Sequence, residues 1–401
     1  MRRIWLQIRI NKLKQEVNMG TEWMIREDQL DPDQQEFVNT KVKSKGNIWI
    51  QGFAGSGKSV LLIHSLLDTI RKEPGATICI VVYTHSLIDM FQTGMKELKF
   101  PKKIPVVTYH EFQRKGLSFD YIFCDEVQDL PEDVVTEMNR RSKKVIVAGD
   151  TNQSIYEDRV VPAQIERILS AEPYVLTIIH RLSRSIISLV QSLIPRMDIW
   201  RAKRDQTKVD VEVRYCVASS RRKEIEYVWK EATNAVRYNS TAVVLLPSHK
   251  KILEFINQLC DNNNTSYWVV AKNSYGKPDY NDLNRFMRSK GLNLEYVGNS
   301  YGSFQNAIQQ KNVILMTYHS SKGMDFENVF MPLCETPMGL MGDAQETVFM
   351  VALTRSRKNL YVSYSSTPYH LLEKIKSVCR YIDIDRELAP QQASSSSQFG
   401  F

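Results

Sequence analysis

The chain has 401 residues, of which 43% are apolar and 24% charged, and it carries a net charge of +8. That length allows two or three domains with sizeable cores, and the composition is ordinary for a globular protein. No apolar stretch approaches the ~18–20 residues needed to span a bilayer, which excludes a membrane-spanning helix. The charge mildly favours a polyanionic partner.

In chain order, the opening Met1 to Ile10 is basic but interrupted by charges, so it does not read as a signal peptide. Residues 1–28 are expected to be an add-on, with Met19 and Met24 equally good openings of the fold. Cys79, Cys124, Cys216, Cys260, Cys334 and Cys379 lie far apart, with no Cys-x-x-Cys pair. They read as buried thiols of a reducing cytoplasm rather than a disulfide frame or zinc site. Asp31 is an N-cap candidate with Pro32 at the first helical position.

Residues 46–59 organise the rest of the chain. A strand-like run, Ile48 to Ile50, feeds Gly52-Phe53-Ala54-Gly55-Ser56-Gly57-Lys58-Ser59, and a helical pattern runs on from Val60 to Ile70. This is G-x-x-x-x-G-K-S between a strand and a helix. The glycines let backbone N–H groups close on phosphate oxygens, and the helix N-terminus adds partial positive charge. Lys58 is placed to hold the β- and γ-phosphates of a nucleotide, and Ser59 to ligate Mg²⁺.

Further strands are expected at 77–84, 106–110, 119–126 and 144–150, with a helix over 86–98. Continuous apolar runs such as Ile78 to Val82 fit parallel strands buried on both faces. Ligands of open α/β sheets bind at the carboxyl ends of strands, so Gly52–Ser59, Thr84, Asp125–Glu126 and Asp150–Gln153 should share one crevice. A second α/β rhythm follows Pro173. It has strands near 174–178, 211–217, 241–246, 266–271, 312–317, 328–332 and 359–364, and helices near 184–193, 221–236, 250–260, 345–355 and 368–378. Residues 272–311 are the least regular stretch. The Ser-rich tail from Pro390 reads as disordered. The expected division is therefore 1–28 extension, 29–176 first lobe, 177–388 second lobe and 389–401 tail.

Asp125-Glu126 closes an apolar strand. One carboxylate there suits Mg²⁺, and its neighbour suits orienting or deprotonating an attacking water.

Together these segments resemble a superfamily 1 helicase of the UvrD/Rep type, in the family's order and over most of the chain. Gln34 stands where the family's Q motif reads adenine, and Gly52 to Ser59 resembles motif I. Val82-Tyr83-Thr84-His85 is similar to motif Ia, and Thr108-Tyr109-His110-Glu111-Phe112 to the Thr-x-His-x-Phe segment. Asp125-Glu126-Val127-Gln128-Asp129 resembles motif II. Gly149-Asp150-Thr151-Asn152-Gln153-Ser154-Ile155-Tyr156 resembles motif III. His180-Arg181-Leu182-Ser183 stands at the family's Asn-Tyr-Arg-Ser. Thr317 to Phe326 resembles motif V, and Val351 to Arg357 motif VI.

The resemblance implies two RecA-like α/β lobes with parallel sheets and an ATP site in the cleft between them. It implies Gln153 as the γ-phosphate sensor, with Arg181 and Arg355 reaching that phosphate from the second lobe. It also implies Gly323 and Asp325 at the nucleotide, Asp325 replacing a Glu that meets the ribose. His180 replaces the Tyr that stacks on adenine. Single-stranded or tailed duplex DNA is the implied partner, contacted by Thr84, His110 and His319, with Tyr83 and Tyr156 as stacking platforms.

The departures matter. Only seven residues separate Phe112 from Asp120, where larger members carry an accessory domain. Glu157-Asp158 stand where the family has a Trp after Tyr156. The chain reads as a stripped two-lobe motor, a 3′→5′ translocase or helicase on DNA. A nucleotide-gated switch acting with a nuclease partner in repair or phage defence, and a motor on RNA, both stay open.

Overall fold

The protein is described from a computed structural model covering residues 24–150, 154, 159–180, 182–197, 199, 203–204, 209–340 and 344–389. Six parallel strands form the first sheet: β1 (Ile48–Gly52), β2 (Ile78–Val82), β3 (Val106–Thr108), β4 (Phe119–Cys124), β5 (Ser142–Gly149) and β6 (Pro173–Leu176). They lie in the order β3-β2-β4-β5-β1-β6. Helices α1 (Pro32–Asn39), α2 (Lys58–Lys72), α3 (His85–Glu97), α4 (Tyr109–Lys115), α5 (Glu132–Arg140) and α6 (Pro162–Leu169) accompany it. Every residue of β2 is buried, as a strand covered on both faces requires. Asp31 caps α1, its side chain accepting from Gln34 N at 2.8 Å, with Pro32 in the first turn.

Short β7 (Ile178–Ile179) and β8 (Lys203–Arg204) pair with each other, and α7 (Arg184–Leu193) lies between them in sequence. The second sheet has seven parallel strands: β9 (Glu212–Val217), β10 (Ala242–Leu246), β11 (Leu294–Tyr296), β12 (Val313–Thr317), β13 (Phe326–Met331), β14 (Ser356–Tyr364) and β15 (Arg380–Asp383). Their order is β11-β12-β10-β13-β14-β9-β15. Its helices are α8 (Arg221–Arg237), α9 (His249–Asn262), α10 (Tyr280–Ser289), α11 (Phe304–Gln309), α12 (Gln345–Leu353), α13 (His370–Ile375) and α14 (Ile384–Leu388). The molecule thus has two parallel α/β bodies, as two RecA-like lobes require.

Four local expectations change. The strand at 106–110 stops at Thr108, whose hydroxyl accepts from Glu111 N, so Tyr109 and His110 open α4 instead. The run 174–178 divides: Pro173–Leu176 completes the first sheet against β1, and Ile178–Ile179 leaves it. Residues 266–271 form no strand. Trp268 is buried, but Ser266, Tyr267, Val269 and Val270 are exposed, and no neighbouring strand pairs with the segment. The irregular stretch 272–311 contains α10, β11 and α11.

All six cysteines are free thiols, buried except for half-buried Cys379. Among the described residues no helix is long and apolar enough to cross a membrane.

The two bodies meet directly. Phe304 N donates to Asp89 Oδ2 (3.2 Å), and the Gln305 amide donates to Thr93 Oγ1 (2.6 Å), joining α11 to α3. Ala54 is buried in the apolar cluster that fills the second body, with Phe53 packed against it. Motif I therefore rests on the other lobe's core.

Candidate active site

Sheet register explains why distant segments converge. Gln51 of β1 lies opposite Gly149 of β5, and Cys124 of β4 opposite Val147 of β5. Gly52, Asp125 and Asp150 therefore leave neighbouring strands on one edge. Gly55 and Gly57 take φ of +74° and +83°, the left-handed region that favours glycine. A Cβ on Gly57 would lie 2.4 Å from Gln34 Nε2.

Gln34 explains that close approach. Its Nε2 donates to Ser56 O (3.2 Å), and its Oε1 accepts from Asp31 N (3.2 Å). It is buried with both amide atoms engaged, so it braces the glycine loop from beneath. His180 sits beside it: its backbone N–H donates to Gly55 O (2.8 Å), and its ring Nε2 is 2.5 Å from Asp31 Oδ2.

Lys58 Nζ donates to Gly52 O and Phe53 O at 2.9 and 3.1 Å. Ser59 Oγ donates to Asp125 Oδ2 at 2.5 Å. Burial and the neighbouring Glu126 push the Asp125 carboxyl up to about 7. A half-buried hydroxyl in contact with a buried carboxylate, the latter carrying charge at a desolvation cost, is a donor set suited to a hard divalent cation. The buried Ser56 Oγ has no hydrogen-bond partner, leaving a donor within the glycine loop.

Glu126 has φ +54°, a left-handed conformation costing a non-glycine residue roughly 1–2 kcal/mol. Burial pushes its carboxyl up, yet Lys322, Lys58, Gln128 and Arg355 together outweigh burial and hold it below its ordinary value. Gln128 is the orienting group. Its Nε2 donates to Glu126 Oε2 (2.6 Å), and its Oε1 accepts from Asp150 N (3.1 Å). A Cβ on Gly149 would meet that oxygen at 2.3 Å.

The second lobe supplies cations to the same place. Lys322 Nζ lies 2.5 Å from Asp129 Oδ2 and 4.0 Å from Glu126 Oε2, with Lys322 and Asp129 almost fully buried. Gly323 (φ +80°) packs so closely that a Cβ would meet Leu87 of α3 at 2.6 Å. Asp325 is 3.5 Å from Arg357. The buried Arg355 donates to Val351 O (2.7 Å), Met324 O (3.1 Å) and Thr354 Oγ1 (3.0 Å). Its guanidinium is thus anchored to its own lobe while its charge reaches Glu126.

Beside this centre, Tyr83 stacks on Tyr109 (5.3 Å), which in turn contacts exposed His110 (3.9 Å). The buried Thr84 Oγ1 has no hydrogen-bond partner. His319 follows β12 on the other lobe, where burial, Lys322 and His249 hold its imidazole below the ordinary value. Gln153, Arg181 and Tyr156 lie outside the described residues.

A model of the viral superfamily 1 RNA helicase core domain matches residues 48–251, just over half of the chain, and one of the UvrD-like helicase C-terminal domain matches 271–367. The chain belongs to the superfamily 1 helicases. Within that family, the ATP-dependent DNA helicase Rep of Buchnera aphidicola subsp. Schizaphis graminum is 26% identical over 150 residues, 35% of this chain and 22% of the relative. Two structures of arterivirus nonstructural protein 10 helicase, one of them a complex with DNA, are 15% and 16% identical to this chain. Their TM-scores are 0.42 and 0.45, covering 86% and 85% of this chain and 63% and 65% of theirs. The chain thus spans under two thirds of each of these relatives.

Sequence reasoning places Lys58, Ser59, Asp125 and Glu126 at one centre, and the structure brings them together. It misses Lys322. A Lys inside Ser-Ser-Lys-Gly looks like an exposed loop charge, and only the contact between lobes shows its buried partners. Tyr109 escapes it because its stretch reads as strand.

Proposed function

We propose that this chain is an ATP-driven motor on single-stranded nucleic acid, hydrolysing ATP to move along a strand and open a duplex ahead of it. The observation that carries this reading is the buried meeting of Lys322 from one lobe with Asp129 and Glu126 of the other. A catalytic carboxylate whose charge depends on the opposite lobe makes chemistry sensitive to how the lobes are closed.

In this reading the glycine loop and Lys58 hold the phosphates of ATP. Ser59 and Asp125 hold Mg²⁺, which when bound would offset charge on the phosphate oxygens. Glu126, aimed by Gln128, takes the proton of the attacking water. Lys322, Arg355 and Arg181 supply positive charge from the second lobe. The strand runs past Tyr83, Thr84 and His110 on one lobe and His319 on the other. DNA and 3′→5′ travel are the finer proposal, resting on the UvrD/Rep resemblance and the match to Rep. RNA is a second reading, supported by the RNA helicase core model matching 48–251.

The test is strand displacement from duplexes bearing a 3′ tail, a 5′ tail or none, in DNA and in RNA. ATP-dependent release from 3′-tailed DNA alone is expected. Release from RNA alone would move the substrate class. ATP turnover without release of any strand would sink the motor and leave the nucleotide-gated switch, with its nuclease partner in repair or defence.

A further inference from the structure

The stretch least regular in sequence carries a built hairpin. Residues 272–278 close on an antiparallel bridge between Lys272 and Pro278. Asn273 fixes the turn: its Oδ1 accepts from Tyr275 N (2.9 Å) and Lys277 N (3.1 Å), and its carbonyl accepts from Gly276 N (2.9 Å). Gly276 takes φ +73°, which suits it to that corner. At the tip stands Tyr275, 85% exposed, between exposed Lys272 and Lys277, neither of them ion-paired among the described residues.

The hairpin is also wired to the cleft. Asn273 Nδ2 donates to Tyr301 Oη (2.8 Å), and Tyr301 sets its edge on Tyr280 (5.6 Å). Tyr280 stacks on Tyr296 (4.0 Å), whose hydroxyl is 3.1 Å from His249 Nε2. Tyr301 precedes Gly302, where a Cβ would meet Tyr296 O at 2.1 Å, and then Phe304, whose N–H donates to Asp89 across the seam between the lobes. Tyr296 ends β11 and His249 follows the carboxyl end of β10, as His319 follows β12.

We propose that this hairpin is a base-stacking element for a single nucleic-acid strand leaving the cleft, with Tyr275 as the platform and Lys272 and Lys277 on the flanking phosphates. The proposal rests on the reading of the chain as a single-strand motor. The chemistry is that of strand binding without sequence preference: a ring for any base face and cations for the backbone. The rigid turn lowers the ordering cost of presenting the ring.

The experiment measures binding of the full chain to a single-stranded oligonucleotide carrying 2-aminopurine, by anisotropy and quenching over a salt series, with nucleic-acid-free ATP hydrolysis alongside. Tyr275→Ala should weaken binding roughly 5- to 100-fold and remove quenching at one position, while Tyr275→Trp keeps both. The double change Lys272→Ala, Lys277→Ala should make the log–log salt slope shallower by about 1.4. Basal ATP hydrolysis should be unchanged in both. Wild-type affinity and quenching in Tyr275→Ala would overturn the hairpin site and leave the motor reading intact. Failure of the wild-type chain to bind any single strand at low salt would overturn both.

Discussion

Glu126→Gln should retain ATP and lose turnover by roughly 10²–10⁴-fold, the range of a positioned general base. The amide keeps the volume and the contact to Gln128, whose 2.6 Å bond orients the group. It removes the lone pair that takes the proton. Four groups, Lys322, Lys58, Gln128 and Arg355, hold this carboxylate ionised against its burial, and an amide needs none of them. Folding should therefore survive. Steady-state hydrolysis beside equilibrium binding of a fluorescent ATP analogue checks this. A loss below tenfold would remove Glu126 from the role of base.

Lys58→Ala should lower turnover by about 10²–10³-fold and weaken nucleotide binding as well. Its ammonium reaches the loop carbonyls of Gly52 and Phe53, at the start of the turn proposed to hold the phosphates. It also favours the ionised forms of both Asp125 and Glu126. The two substitutions therefore separate: binding is kept in Glu126→Gln and lost in Lys58→Ala. Equal loss of binding in both would contradict this division of labour.

The features legible in the sequence are local. Gly52 to Ser59 needs only a strand before it and a helix after it, and Asp125-Glu126 only a strand end. Period and spacing carry that information. Sequence and structure part where tertiary pairing decides. Tyr267 to Val270 is an apolar, β-branched and aromatic run such as a strand would carry, yet a strand exists only with a neighbour. Pro173–Leu176 looks like the start of the second rhythm, and only its pairing with β1 shows that it completes the first sheet. Gln34 reads in the sequence only as a contact to adenine, and its bonds to Ser56 and Asp31 add a tie to the glycine loop that no local pattern signals. Lys322 carries no signal of its own, because its meaning lies in two carboxylates far earlier in the chain.

A site assembled from both lobes should be governed by a strand lying across them. The most direct measurement is steady-state ATP hydrolysis by the full chain at low salt, with and without saturating single-stranded DNA or RNA. The expected result is a rate that rises at least about tenfold with one of the two, and falls back as salt strips the strand away. A rate indifferent to both strands, in a chain that binds ATP, would contradict it.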